Sequence, residues 1–200
     1  MGTRNLTTVI KNSETKVAQY GQWDGYPGGQ GLTALKFLLK TDLSEFSKKV
    51  DKCKFVDTEK TNEIQEFLKS IGCDDGWMTL DQASQYNNRY KYLSRDHGAG
   101  ILELIDSSED DIIWLNDSSS FASESLHCEY GYVIDLDNET FEIYEGFNKM
   151  VLNDSERYRG NGKPDSNGYY PIRLIKIYDL NNLPTTDNFL KDFEEVDDEE

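Results

Sequence analysis

The chain has 200 residues, 36% of them apolar and 12% aromatic, which suffices for a packed core and excludes a disordered chain. It carries 38 Asp/Glu against 21 Lys/Arg, a net charge of −17. Residues 1–100 hold 14 Lys/Arg and 13 Asp/Glu, residues 101–200 only 7 and 25, so the whole acidic excess lies in the second half. A field of that sign repels phosphate backbones, which argues against direct nucleic-acid binding and permits a basic protein partner acting through residues 101–200.

No run of 18 apolar residues and no leader pattern occurs, so a cytoplasmic protein without a membrane partner is expected. Leu6 stands where an N-terminal myristoylation pattern needs Ser or Thr. Cys53, Cys73 and Cys128 are odd in number and form no CxxC, which predicts free thiols and neither a disulfide framework nor a zinc site.

Taken in chain order, residues 6–10 and 15–20 flank a polar turn and predict a β-hairpin. A Gly-rich loop runs from Gly21 to Gly31. Leu35, Leu38 and Leu39, then Leu43, Phe46 and Val50 behind Asp42 as N-cap, recur at helical spacing and predict two helices. Residues 59–71 place Ile64, Phe67, Leu68 and Ile71 on one helical face and stop at Gly72. Thr79 with Gln82 reads as a capping box for a further helix, and residues 98–106 predict another. The segment from about 29 to 106 is thus expected to be predominantly helical.

From there the period returns to two. Residues 112–115 predict a strand, residues 130–146 a hairpin turning at Asp137 and Asn138, and residues 171–178 a last strand. The end begins as a short helix with Phe189, Leu190 and Phe193 facing inward, and residues 194–200 are expected to be a mobile acidic tail. Hairpin, helices, then strands without intervening helices predict one α+β domain over residues 1–200 with a mostly antiparallel sheet.

Several motifs fail on context. Gly29, Gly31 and Ala34 satisfy a dinucleotide fingerprint, but no parallel strand follows within a βαβ-sized window, so no nucleotide cofactor is implied. Residues 135–146 space their acids like a calcium loop, yet position 6 is Thr140 and position 12 is Gly146, so no metal site is predicted. His127 and Cys128 are neighbours along an extended chain and would point apart, which disfavours a nucleophile and base pair.

Two polar stretches remain as a candidate ligand wall. In the first, Tyr20, Trp23 and Tyr26 offer stacking faces, Gln19 and Gln22 offer donors and acceptors, and Asp24 a base or anchor. In the second, Arg95, Asp96 and His97 precede a predicted helix. With Arg4 these residues would enclose a small polar or anionic ligand if the two stretches meet beside the first hairpin; a rigid aromatic corner is the alternative.

The MGTRNL start, VAQYGQWDGYPGGQG at 17–31, LSRDHGAGILELI at 93–105 and YVIDLDNETFEIYEG at 132–146 resemble a family of uncharacterised bacterial, phage and fungal proteins over most of the chain. Some of its members have Cys where this chain has Gly2, and that start is similar to the N-terminal-nucleophile amide hydrolases. The resemblance implies an acid matching Asp24 by analogy, while Gly2 supplies no nucleophile. The expectation is therefore a small-ligand-binding or catalytically degenerate domain. The alternatives are an acidic interaction module, such as a phage-encoded inhibitor of a host defence or nucleic-acid-binding enzyme, and an N-terminal-nucleophile amidohydrolase.

Overall fold

The computed structural model describes residues 2–73, 77–160 and 162–194. The acidic end from residue 195 onward, and with it nearly all of the tail expected from the sequence, lies outside the described residues. β1 (Asn5–Lys11) and β2 (Glu14–Gly21) form the first hairpin. Its turn puts Asn12 and Ser13 in the left-handed region, at φ 56° and 59°. Their amides donate to the two oxygens of the Asp137 carboxylate at 2.8 and 2.6 Å, so the turns of two hairpins are tied together.

After a single π-helical turn over Pro27–Gly31 come α1 (Leu32–Leu38) and α2 (Leu43–Val50). The Asp42 carboxylate accepts from the amides of Ser44 and Glu45, satisfying two of the donors that a helix start leaves open. β3 (Cys53–Phe55) interrupts the stretch expected to be helical. Three residues are too few to show a period, so only its partner makes it a strand. α3 (Thr58–Ser70), α4 (Leu80–Arg89) and α5 (Gly100–Asp106) follow, then β4 (Ile113–Leu115), which pairs parallel with β3 as a separate two-stranded sheet.

β5 (Tyr130–Asp135), β6 (Thr140–Glu145) and β7 (Arg173–Asp179) complete the main sheet, and α6 (Thr186–Lys191) closes the described chain. Strand order is β2-β1-β5-β6-β7, antiparallel throughout except for β1 against β5, which run parallel. The fold is α+β with a mixed, mostly antiparallel sheet. A parallel pair needs a long crossover, and here the helical segment supplies it.

Alternation along the strands separates two faces. Val9, Val17, Tyr132, Ile134, Phe141 and Ile143 pack under α1, α2, α5 and α6 in the larger core. Leu6, Ile10, Ala18, Val133 and Tyr144 face the other way, where Phe121, Ala122, Cys128, Tyr158 and Ile172 cover them. The apolar stripe of α3 does not reach either core, and no residue of α3 or α4 is buried. No helix among the described residues is long and apolar enough to cross a membrane.

Candidate functional site

The two polar stretches meet at the open end of the first hairpin. Gly21 allows it: a Cβ there would lie 2.8 Å from the Cα of Gly98 and 2.6 Å from Asn5 Nδ2. The Gly98 amide donates to the Tyr20 carbonyl at 3.2 Å, and Gln30 Oε1 accepts from the Ala99 amide at 2.7 Å. Gln19, buried on the sheet, donates through Nε2 toward the carbonyls of Tyr20, Ser94 and Arg95, at 2.7, 3.2 and 3.3 Å.

The remaining predicted residues divide by what they spend on this contact. Tyr20 donates its hydroxyl to Gln22 Oε1 and packs edge-on against Phe121, while the Arg95 guanidinium lies 5.1 Å over its ring. Arg95 also faces Asp96 at 3.7 Å but is 71% exposed. His97 Nε2 is 2.8 Å from the Lys91 carbonyl, which can only accept, so the proton sits on Nε2. Arg4 turns toward Glu129, 3.7 Å from its guanidinium Nε. Asp24 holds φ 54° and its carbonyl accepts from the Gln30 amide at 2.8 Å. Trp23 and Tyr26 are 59% and 47% exposed.

Gln19, Tyr20, Gln22 and Gln30 therefore hold the corner together, and Trp23, Asp24, Tyr26, Arg95 and Asp96 project from it into solvent. A Cβ at Gly2 would lie 2.3 Å from Trp23 Cε3 and 2.5 Å from the Gln22 carbonyl oxygen. Trp23 thus occupies the space that a residue-two nucleophile would need. Burial holds the protons on the two thiols nearest the sheet, pushing Cys53 up to about 12 and Cys128 higher still. His127 sits in a turn rather than on a strand, and Cys128 Sγ faces the Tyr130 carbonyl.

A concavity of about 280 Å³ lies at the other end of the second stretch, between α3, the residues after α4, and β4. Lys60, Glu63, Arg89, Tyr90, Asp110 and Trp114 stand round it. Lys60 Nζ is 2.8 Å from Glu63 Oε2, and Tyr90 donates its hydroxyl to Glu63 Oε1 at 3.2 Å, with Arg89 3.6 Å from the same oxygen. Lys60 stands 5.4 Å over the Tyr90 ring and 5.7 Å over Trp114; Lys91 stands 4.7 Å over Tyr92. Tyr92's hydroxyl lies 2.6 Å from Asp110 Oδ2, which also has Lys91 at 3.3 Å and Ser108 Oγ at 3.4 Å.

The groove's lining sets Lys60 and Arg89 against Glu63 and Asp110, an even balance in a protein of net charge −17, and Lys91 adjoins it 3.3 Å from Asp110. The hydrogen bond from Lys60 lowers Glu63, and the one from Tyr92 lowers Asp110, so both acids stay ionised beside the cations. Sequence reasoning passed over these residues. Their one local signal is the alternation Arg89-Tyr90-Lys91-Tyr92, since Lys60, Asp110 and Trp114 arrive from distant parts of the chain. Among the described residues no group of three His, Cys, Asp or Glu side chains is placed to hold a metal ion.

Comparison with protein-family models, with curated proteins and with solved structures returned no match.

Proposed function

We propose that the protein is a small-ligand-binding domain that takes a planar anionic molecule in the groove between α3, residues 89–93 and β4. The observation that carries this reading is the meeting of the Tyr90, Tyr92 and Trp114 rings with Lys60 and Arg89 round one concavity. Aromatic faces supply stacking area, and a guanidinium pairs a carboxylate or phosphate through two parallel hydrogen bonds. About 280 Å³ lies at the lower edge of the range for ligand pockets and suits a single ring bearing an acidic group.

The test is a titration of the labelled protein with phenyl phosphate, with neutral benzyl alcohol as control, followed by nuclear magnetic resonance. The Trp114 indole signal should shift with the phosphate and not with the alcohol. Arg89→Ala with Lys60→Ala should weaken the response by at least about tenfold, the value of one charge-assisted contact. A response confined to Trp23 would return the ligand to the hairpin corner, and no response at either would remove the reading.

A second reading, an acidic module that meets a basic protein partner, has its own support. Glu109 and Asp154 expose 93% and 91% of their side chains in the half of the chain that carries the acidic excess. An inhibitor seated on the nucleic-acid-binding face of a host enzyme would have this charge.

A further inference from the structure

The described residues from Asp57 to Arg89 leave the sheet and contribute nothing to either core. Their apolar face is half-buried against itself: Phe67 meets Tyr90 edge-on at 5.4 Å, and the Arg89 guanidinium covers Phe67 at 5.3 Å. The root of this helical hairpin is the groove described above. Its far end is different in kind.

There Trp77 is 85% exposed, Leu80 93% and Met78 41%. Single exposed apolar residues are ordinary, but three large ones within four positions form a patch that water solvates poorly. Thr79, between Met78 and Leu80, is held by side-chain hydrogen bonds. Thr79 caps α4 reciprocally with Gln82, its hydroxyl accepting from the Gln82 amide at 3.3 Å and its amide donating to Gln82 Oε1 at 2.8 Å. Gln82 Nε2 then donates to the Ile71 carbonyl at 2.9 Å, which ties the start of α4 to the end of α3. Exposed Trp77, Met78 and Leu80 beside a hydrogen-bonded helix cap have the composition of an interaction hot spot.

Charge decides what it meets. Glu59, Glu66 and Asp81 are exposed along the hairpin, and two of its three cations, Lys60 and Arg89, are held by Glu63. A second copy would bring −17 against −17, and an anionic bilayer would be repelled in the same way. A protein surface with an apolar pocket rimmed by Lys and Arg gains on both counts. We infer that the tip of the α3–α4 hairpin is a docking peg that inserts Trp77, Met78 and Leu80 into such a pocket on a partner protein. This rests on the partner reading for the sign of the partner's charge, and it moves the decisive contact from residues 101–200 to residues 77–80.

The experiment uses the full chain, with its three Trp indole signals resolved, titrated with a synthetic amphipathic helix of Leu and Lys. An all-Lys peptide and a Leu–Glu helix serve as controls. The Trp77 indole should move with the Leu–Lys helix alone. Trp77→Ala with Leu80→Ala should weaken binding at least about tenfold while leaving the circular dichroism spectrum unchanged, as expected for exposed side chains. Leu80→Gln alone, which alters one exposed side chain, gives the same reading should the double variant lose structure.

Equal binding by the variants would overturn the peg and leave the partner reading standing. Binding of the all-Lys peptide as tightly as the Leu–Lys helix would do the same. A dimer in sedimentation that the variants abolish would assign the tip to a second copy, and a Trp77 response to anionic vesicles would assign it to a membrane; either overturns the inference. No binding of any basic peptide would remove both readings.

Discussion

At the scale of single residues, the backbone at 146–148 is tightly constrained. Phe147 holds φ 50°, a left-handed conformation that costs a bulky residue roughly 1–2 kcal/mol. It persists because its neighbours are over-determined: the Phe147 amide donates to the Ser125 carbonyl at 2.7 Å, and buried Asn148 donates through Nδ2 to the Pro171 carbonyl at 2.9 Å. Gly146 has no room for a side chain, since a Cβ would lie 2.1 Å from the Cys128 carbonyl oxygen and 2.6 Å from that of Ser125. Adjacent substitutions should therefore have opposite signs. Phe147→Gly should gain about 0.5–1 kcal/mol, a rise in Tm of roughly 2–3 °C after the entropy of the unfolded glycine is counted. Gly146→Ala should lose at least about 2 kcal/mol, because backbone carbonyls cannot step aside. Calorimetry of both variants checks this, and two losses of similar size would mean the left-handed turn stores no strain.

Among the elements, the pairing of β5 with β6 carries a buried ionic network on the face away from the helices. Arg157, from a segment with neither helix nor strand, reaches Asp135 Oδ2 at 2.6 Å and Glu142 Oε1 at 2.7 Å, and Tyr144 donates to Glu142 Oε2 at 2.6 Å. Burial acts to raise Asp135, but hydrogen bonds from Asn138 and Arg157 outweigh it and hold the carboxyl below the usual range. The sign of the linkage follows. A carboxyl lowered in the folded state contributes stability that is present above its unfolded value of about 4 and is lost as pH falls through the folded value. Arg157→Met leaves two buried acids unpaired. Near neutral pH it should cost about 3 kcal/mol, at the low end for a buried pair because Arg157 is still partly exposed. That deficit should shrink as pH is lowered toward about 3, where Asp135 binds a proton and no longer needs the cation. Urea midpoints measured across this range decide it, and a deficit independent of pH would mean that Arg157 acts by packing alone.

For the whole molecule, net charge and its division set how it meets others. A charge of −17 draws any cationic partner over a distance set by the ionic strength. Binding of the Leu–Lys helix should accordingly weaken at least about tenfold between about 0.05 and 0.5 M salt, with a remainder that salt does not remove. The remainder belongs to Trp77 and Leu80 and should vanish in their double variant. Binding indifferent to salt would leave the acidic half without a part in recognition.

The sequence by itself determined the α+β class, the hairpins and the caps of Asp42 and Thr79, because strand alternation, helical spacing and capping are local and are written within a few neighbouring positions. Composition also singled out Gln19 to Tyr26 and Arg95 to His97, but left open whether the two stretches meet. Tertiary structure decided everything that depends on distant partners. Cys53–Phe55 is a strand only because Ile113–Leu115 lies beside it, and β1 runs parallel to β5 only because the helical crossover allows it. The stripe Ile64, Phe67, Leu68 and Ile71 predicts a helix but not its burial, and α3 leans on Arg89 of α4, on Tyr90 and, through Lys60, on Trp114, outside either core. The groove of Lys60, Arg89, Tyr90, Asp110 and Trp114 joins residues up to 54 positions apart, and no periodicity in a linear chain encodes which side chains share a volume.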